Sequence, residues 1–403
     1  MASEKTIEIV KSTAPVLKEH GETITKVFYK RLFENHPELK NIFNMTHQKK
    51  GTQPKVLAST ILQYATYIDQ LDKLGDAVGT IAQKHSSLAI KPEMYPIVGK
   101  NLLAAIKEVL GEAATPEIID AWAEAYGDLS KIFINVEDQI YQQNESSEGG
   151  FRGKKPFKVA RKIMESKTIT SIYLTPVDGS PIPNYLPGQY IAITLDIAGH
   201  AHKHTRNYSL SDYGNTKALR ISVKKELGDP DGVVSNYLHE KVQEGDILEI
   251  GMPSGDFTLK ESSKPVVLIA GGVGITPLIS MYKSLKGKGR KTNLIQCTPN
   301  SATRPFGNEI QLQDDPNLST IVGFSDPLAS DKKGENYDFE GLLTEEILKS
   351  QLPEEPAEVY FCGPTPFMRL VLKLLNNLGV KEENIFYEFF GPAEELLEEE
   401  ATM

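Results

Sequence analysis

Three short stretches and one scattered set of polar residues could do chemistry in this chain. Residues 271–277 read Gly-Gly-Val-Gly-Ile-Thr-Pro and follow the apolar run Val266 to Ala270. A glycine-rich turn from a buried strand into a helix gathers backbone N–H groups at the positive end of that helix, which is what a pyrophosphate needs. Gly271, Gly272, Val273, Gly274, Ile275 and Thr276 supply the turn, and Pro277 suits the first helical position. Alone, such a turn is a weak signal. A second one, Cys362-Gly363-Pro364, closes another apolar run and is followed by Phe367 and Met368. Between the two extremes of the chain, Arg206, Asn207, Tyr208 and Ser209 combine a rigid fork for phosphate oxygens, a flat ring for an isoalloxazine and a hydroxyl for a ring nitrogen. Gly232 to Ser235 opens a further helix whose amides could take a second phosphate.

The scattered set lies nearer the N-terminus. His85 falls on the stripe Leu74, Val78, Ile81, His85, Leu88, so its imidazole points inward. A lone histidine there is ordinarily a packed core residue. Glu137 changes that balance, because it falls beside Phe133, Val136 and Ile140 on the buried side of the last helix. A buried carboxylate is costly unless something cationic or hydrogen-donating needs it, and a metal-bound histidine has an Nδ1–H in search of an acceptor. Tyr95, on the next segment, could complete that group. Opposite them, Tyr29 shares a face with Thr25, Phe28, Leu32 and Phe33, and Gln53 shares one with Leu57, Ile61 and Tyr64. As a set these describe two hydrogen-bond donors above a flat cofactor and a histidine below it.

The elements that must hold these residues are legible in the hydrophobic period. From Thr6 to about Tyr141 it is helical, interrupted at Gly21, Pro37, Pro54, Pro92, Pro96 and Gly111. The last helix is expected to start at the cap Thr115 and at Pro116, and to bury Ile118, Trp122, Tyr126, Leu129, Phe133, Val136 and Ile140. Residues 142–154, polar and glycine-containing, read as a linker. Short alternating runs such as Ile191 to Leu195 and Leu219 to Val223 then indicate an antiparallel barrel or sandwich. From Lys264 onward, strands (Val266 to Ala270, Thr292 to Gln296, Glu358 to Cys362) alternate with helices, one from about Pro277 and one through Leu378, as in a doubly wound parallel sheet.

Composition bounds the function. At 403 residues with 40% hydrophobic content the chain has material for two or three cores. A net charge of −10 repels nucleic acid and anionic membrane, and the five glutamates between Glu394 and Glu400 read as a solvated tail. The two cysteines, Cys297 and Cys362, lack metal-ligand spacing and suit a reducing compartment. With no secretory run and no apolar stretch of roughly 18 residues, a cytoplasmic protein without an integral membrane segment is expected.

Residues from about 155 to 392 resemble the ferredoxin-NADP reductase family, through Arg-x-Tyr-Ser, Gly-Gly-x-Gly-x-Thr-Pro and Cys-Gly-Pro in that order. The resemblance implies that Tyr190 and Arg206 to Ser209, with Gly232 and Ser235, hold FAD. It also implies that residues 271–276 and Cys362 face the nicotinamide dinucleotide, and that Phe390, within Phe389, Phe390, Gly391 and Pro392, covers the flavin. With the helical part included, and Phe43 between the two distal helices, nearly the whole chain resembles the flavohaemoglobins. In that family His85 corresponds to the proximal haem-iron ligand, Tyr95 and Glu137 to its charge-relay partners, and Tyr29, Gln53 and Leu57 to the distal pocket. Lys84 and Glu388 match positions that tune the redox centres. Asn207, Pro54 and the acidic tail depart from the family pattern, and Pro54 falls in a first helical turn, where it is tolerated.

The expectation is therefore a multidomain chain: an all-α globin domain at 1–141, a linker at 142–154, an FAD-binding antiparallel β-barrel at 155–262 and an α/β NAD(P)-binding domain at 263–403. Its cofactors would be haem b, FAD and NADH or NADPH, its small-molecule partners O2 and NO, its state a monomer and its reaction nitric oxide dioxygenation to nitrate. Two other readings stay open: an O2-binding or sensing globin kept ferrous by its reductase, and a reductase of another acceptor such as a lipid hydroperoxide. The loop from Cys297 to Arg304 contains no acid, which admits NADPH, whereas the family resemblance leans to NADH.

Overall fold

The structure, a computed structural model, describes residues 2–43, 45, 48, 51–228, 231–311 and 315–390. It divides into two compact units, Met1–Lys154 with Ala192–Arg206, and Lys155–Ile191 with Asn207–Met403.

In the first unit the helices described from end to end are α1 (Glu4–Ser12), α2 (Ala14–Asn35), α3 (Thr52–Tyr67), α4 (Gly75–Leu88), α5 (Met94–Leu110) and α6 (Pro116–Ser146). Their ends follow from local chemistry. Ser3 caps α1 through Thr6 N, and Thr115 Oγ1 accepts from Ile118 N at 3.3 Å to start α6 at Pro116 as expected. Helix α2 buries Leu17, Ile24, Phe28, Leu32 and Phe33 on one side, the period-3.6 stripe that drives bundle packing. Thr25 Oγ1 donates to Pro54 O at 2.8 Å, which ties the middle of α2 to the first turn of α3. Helix α6 runs on to Ser146, five residues into the expected linker. The residues there are polar but helix-permissive, and Gln142 bonds back to Asp138 while Arg152 folds over Asp138 and Glu145, so nothing breaks the helix before Ser147.

Six strands, β1 (Lys154–Met164), β2 (Ile169–Pro176), β3 (Tyr190–Leu195), β4 (His204–Ser209), β5 (Leu219–Lys224) and β6 (Ile247–Gly251), form a sheet of order β4-β3-β6-β1-β2-β5. β1, β2 and β5 pair antiparallel. Just past β4, Leu210 bridges Ile221 of β5, so the two edges of the sheet meet and the expected barrel closes without an open edge. Helix α7 (Val233–Glu240) lies between β5 and β6 in sequence.

The remaining residues build a second six-stranded sheet, β10-β9-β8-β7-β11-β12, with every pair parallel. Its strands are β7 (Val266–Gly271), β8 (Thr292–Thr298), β9 (Leu318–Phe324), β10 (Phe339–Glu340), β11 (Glu358–Cys362) and β12 (Ile385–Glu388). Its helices are α8 (Ile275–Leu285), α9 (Gly307–Gln311), α10 (Glu345–Gln351) and α11 (Thr365–Asn377). β7 and β11 are buried along their whole length, as strands covered on both faces must be. The chain leaves β7 toward β8 and returns on its other side at β11. The crevice at the carboxyl ends of these two strands is thus the switch point where such sheets bind ligands.

Candidate functional site

His85 sits in the last turn of α4. That helix ends where Ala89 adopts the left-handed region (φ 60°), and Ile90 N returns to His85 O at 3.1 Å. A non-glycine residue in that conformation carries local strain, which is tolerated where the surroundings dictate the turn. The chain then re-enters at α5, bringing Tyr95 to the imidazole. His85 Nδ1 lies 2.7 Å from Glu137 Oε1 and 3.1 Å from the Tyr95 hydroxyl, and Tyr95 donates to the same carboxylate oxygen at 2.5 Å. A carboxylate only accepts, so Nδ1 carries the proton and Nε2 keeps its lone pair. Among the described residues Nε2 has no hydrogen-bond partner, and the His85 side chain is 30% exposed, whereas Glu137 is 2% exposed. Burial and the bond to Glu137 push the Tyr95 phenol well above its usual range, so it stays a donor. An imidazole with a sealed, carboxylate-bound Nδ1 and a bare Nε2 is what a haem iron requires, and these residues fit that group.

Two aromatic residues outside the expected set position this triad. Tyr126 donates to Tyr95 O at 2.7 Å, and Phe133 packs its ring 5.7 Å from the imidazole and 6.4 Å from the Tyr95 ring. Both lie on the α6 stripe that the sequence marks as core, where nothing separates a supporting aromatic from ordinary packing. Lys84, next to His85, is exposed.

On α2, Tyr29 is 6% exposed, and its ring centroid is 5.7 Å from that of Phe43 and 5.8 Å from that of Phe33. Burial raises its pKa, and hydrogen bonds from Gln48 and Gln53 oppose that rise. Gln48 Nε2 donates to Gln53 Oε1 at 2.9 Å. Gln48 was not expected, because it precedes α3 and lies outside the face of Gln53, Leu57, Ile61 and Tyr64 read from the sequence. Leu57, half-buried one turn further along α3, packs against the same core as Tyr29.

Arg206 to Ser209 lie on β4, with Ser209 buried, Arg206 and Tyr208 half-buried and Asn207 exposed. Arg206 Nη1 bonds Thr205 O at 2.8 Å. Tyr190 begins β3 and pairs with Ser254 through two backbone bonds of 2.9 Å. Gly232 precedes α7, which has no side-chain cap at its N-terminus, while Ser235 Oγ accepts from Glu226 N and donates back to Gly232 O. An uncapped helix end of this kind can serve an anion.

In the second sheet the glycine turn presses directly on the neighbouring strand. A Cβ on Gly274 would stand 2.1 Å from Cys362 O, so only glycine lets the turn and the Cys-Gly-Pro segment share the switch-point crevice. Thr276 Oγ1 holds the turn by donating to Val273 O at 3.0 Å. Helix α8 starts at Ile275, two residues before the expected Pro277, because this turn itself winds into the first helical residues. Cys362 is buried, and its thiol is pushed well above the usual range by that burial, which suits packing and not nucleophilic work. In the loop after β8, Arg304 turns inward to Gln296 Oε1 at 2.9 Å, and a carboxylate arrives from elsewhere: Asp331 Oδ2 accepts from Ser301 N at 3.3 Å and from Leu328 N at 3.0 Å. Glu388 ends β12 beside Cys362, with Oε2 buried and without a partner among the described residues. Burial, with Asp256 adding to it, raises its pKa to about 8. Phe389 is half-buried and Phe390 46% exposed, and Gly391 and Pro392 lie outside the described residues, as does the acidic tail.

Comparison with known proteins bears directly on this pair of sites. Residues 26–133 match the globin family, residues 159–259 the oxidoreductase FAD-binding domain, and residues 268–373 the oxidoreductase NAD-binding domain. Over 399 residues the chain is 47% identical to the flavohemoprotein of Halalkalibacterium halodurans, covering 97% of each sequence. The chain belongs to the flavohemoprotein family. The Bacillus subtilis flavohemoprotein is 46% identical over 396 residues, covering 97% of this chain and 98% of its own. The flavohemoglobin of Malassezia yamatoensis, solved with bound FAD and haem, matches at a TM-score of 0.84 and 28% identity over 96% of this chain and 99% of its own. The FAD/NAD-binding part of nitric oxide dioxygenase from Vibrio cholerae matches at a TM-score of 0.54 and 36% identity, over 59% of this chain and 99% of that one. The chain is thus an NAD(P)H-dependent oxidoreductase of the haem and FAD type. No helix among the described residues is long and apolar enough to cross a membrane.

Proposed function

We propose that this flavohemoprotein is a nitric oxide dioxygenase, consuming NO and O2 to form nitrate at the expense of NADH or NADPH. The observation that carries this reading is the Glu137 carboxylate, sealed from solvent and bound to both His85 Nδ1 and the Tyr95 hydroxyl. Burying a charge with two donors is expensive, and a globin that only stores O2 has no use for it. Acting through His85, the carboxylate makes Nε2 a stronger electron donor, which favours activation of O2 over its reversible carriage.

When bound, haem supplies the iron that binds O2 and NO, and FAD converts the two-electron hydride of the nicotinamide into single electrons. His85 would be the one protein ligand to the iron, with Glu137 and Tyr95 fixing its tautomer and orientation. Tyr29, held by Gln48 and Gln53 and walled by Phe43 and Leu57, would present a neutral phenol donor to a polarised diatomic ligand. Tyr190 and Arg206 to Ser209, with the uncapped end of α7, would hold FAD, and the turn Gly271 to Thr276 the dinucleotide pyrophosphate. Phe389 and Phe390 would cover the flavin, and Lys84 and Glu388 would act on the potentials of the two redox groups. The name of the Vibrio cholerae protein, whose reductase part is 36% identical, supports the same reaction.

The test is NO consumption and nitrate yield by the holoprotein with NADH under air. Stoichiometric nitrate supports the proposal. NADH oxidation that follows added lipid hydroperoxide and ignores NO would replace it with the peroxide reading.

A further inference from the structure

Four charged side chains from separate segments of the reductase meet in one cluster. Arg220, on β5, extends a fork to Glu309 on α9, with Nη1 to Oε2 at 2.8 Å and Nη2 to Oε1 at 3.3 Å. Lys283, in the last turn of α8, donates to Glu309 Oε1 at 2.6 Å and also to Asp212 Oδ1. Asp212 follows β4 and lies 4.0 Å from Arg220 Nη2, and the Arg220 Nε donates to Ser211 O at 3.1 Å. Arg220 and Asp212 are 3% and 5% exposed, and the guanidinium also faces the Phe306 ring at 4.9 Å. Two positive and two negative groups meet in this set.

With Arg220 and Asp212 buried and Lys283 and Glu309 partly exposed, an ionic set of this kind adds little net stability compared with apolar packing of the same volume, and one use of such a set is geometric specificity. Its directional bonds hold only in one arrangement. Here the arrangement it fixes joins the two halves of the reductase. Asp212 and Ser211 continue the strand that carries Tyr208 and Ser209, on the barrel side. Lys283 belongs to α8, whose first two residues, Ile275 and Thr276, end the glycine turn that starts at Gly271. From Thr276 to Lys283 that helix is a rigid lever about 10 Å long at 1.5 Å per residue.

We infer that Asp212, Arg220, Lys283 and Glu309 form an ionic strut that sets the position of the nicotinamide site relative to the flavin site and so governs the rate of hydride transfer. The four are positioning residues, none of them placed against either cofactor. The inference rests on NAD(P)H reducing FAD in this chain and is independent of what happens at the haem.

Lys283→Met in the full-length holoprotein is the test, with Lys283→Arg as its conservative partner. Flavin reduction is followed by anaerobic stopped flow at saturating NADH, together with NADH affinity, FAD content and the long-wavelength absorbance of the flavin–nicotinamide charge-transfer complex. A misplacement near 1 Å slows a positioned reaction by up to about 100-fold, so Lys283→Met is expected to reduce flavin about 10- to 100-fold more slowly. NADH affinity and FAD content stay unchanged, the charge-transfer band weakens, and Lys283→Arg recovers most of the rate. Independently of turnover, amide exchange at residues 211–213 rises in Lys283→Met. An unchanged rate and band in Lys283→Met overturn the strut. If Lys283→Met loses FAD, Glu309→Gln is measured in its place, and a parental rate there overturns it equally. Failure of the parent protein itself to reduce FAD with either NADH or NADPH would instead strike the premise of dinucleotide-driven reduction.

Discussion

Glu137 Oε1 lies 2.7 Å from His85 Nδ1, joining helices whose residues are 52 positions apart. The carboxylate is 2% exposed and Tyr95 donates to the same oxygen, so its charge acts on the imidazole with little screening by water. Glu137→Gln keeps the shape and removes the charge. Loss of such a partner behind a metal-bound histidine costs about 10- to 100-fold in affinity or activity, and NO consumption at saturating NADH is expected to fall within that range while haem content holds. A parental rate in this variant would leave Glu137 without a role in the reaction.

His85→Ala removes the proposed iron ligand and leaves the reductase residues alone. The Soret absorbance is expected to vanish or collapse, with flavin absorbance and NADH-driven flavin reduction retained. A ferrous haem spectrum like that of the parent would assign the ligand elsewhere.

Tyr29→Phe deletes one hydroxyl from a pocket where that residue is 6% exposed. A hydrogen bond to a partly charged acceptor in a dry pocket is worth roughly 1.5 to 3 kcal/mol, which at about 1.4 kcal/mol per decade predicts O2 dissociation about one to two orders of magnitude faster. NO binding to the ferrous protein should change far less, since it develops little charge, and flavin reduction by NADH should not change. Unaltered O2 dissociation together with unaltered nitrate production would make Tyr29 a packing residue.

Dinucleotide preference turns on the loop after β8. The loop contains no acid of its own, yet Asp331 reaches Ser301 N at 3.3 Å, and Arg304, its one cation, is turned inward to Gln296. A carboxylate near the ribose 2′ position repels a 2′-phosphate. We expect kcat/KM to favour NADH over NADPH, and Asp331→Ser to narrow the gap chiefly by improving NADPH. Equal kcat/KM values in the parent would remove Asp331 from the account.

Glu388 gives a pH signature. Burial raises its pKa from 4.5 to about 8, so the fold favours its protonated form. The stability this contributes is present below 4.5 and is lost as pH rises through about 8. Between about pH 5 and about pH 9 the thermal midpoint of the parent should therefore fall further than that of Glu388→Gln, which has no proton to lose. Parallel midpoint curves for the two proteins would show that the carboxyl titrates in a wetter setting.

What the sequence determined by itself was local. The step pattern of α2, α4 and α6 marks the buried faces, so Tyr29, His85 and Glu137 could be read as inward-pointing before any contact was known. The glycine turn and Cys-Gly-Pro announce their backbone geometry, because the amides that meet a phosphate are neighbours in the chain. Where contacts depend on helix crossings and loop returns, residue order is silent. A helix advances 100° per residue, so the stripe places Glu137 within the core but not on one nitrogen of one histidine. Gln48 joins Tyr29 to Gln53 only through the tertiary fold that brings it to both, and Asp331 reaches a loop 30 residues upstream only because β8 and β9 lie side by side. The ion set of Asp212, Arg220, Lys283 and Glu309 is the clearest case. Each member reads as an ordinary surface charge in its own segment, and the packing of barrel against parallel sheet is what brings the four together, burying Arg220 and Asp212 and leaving Lys283 and Glu309 partly exposed.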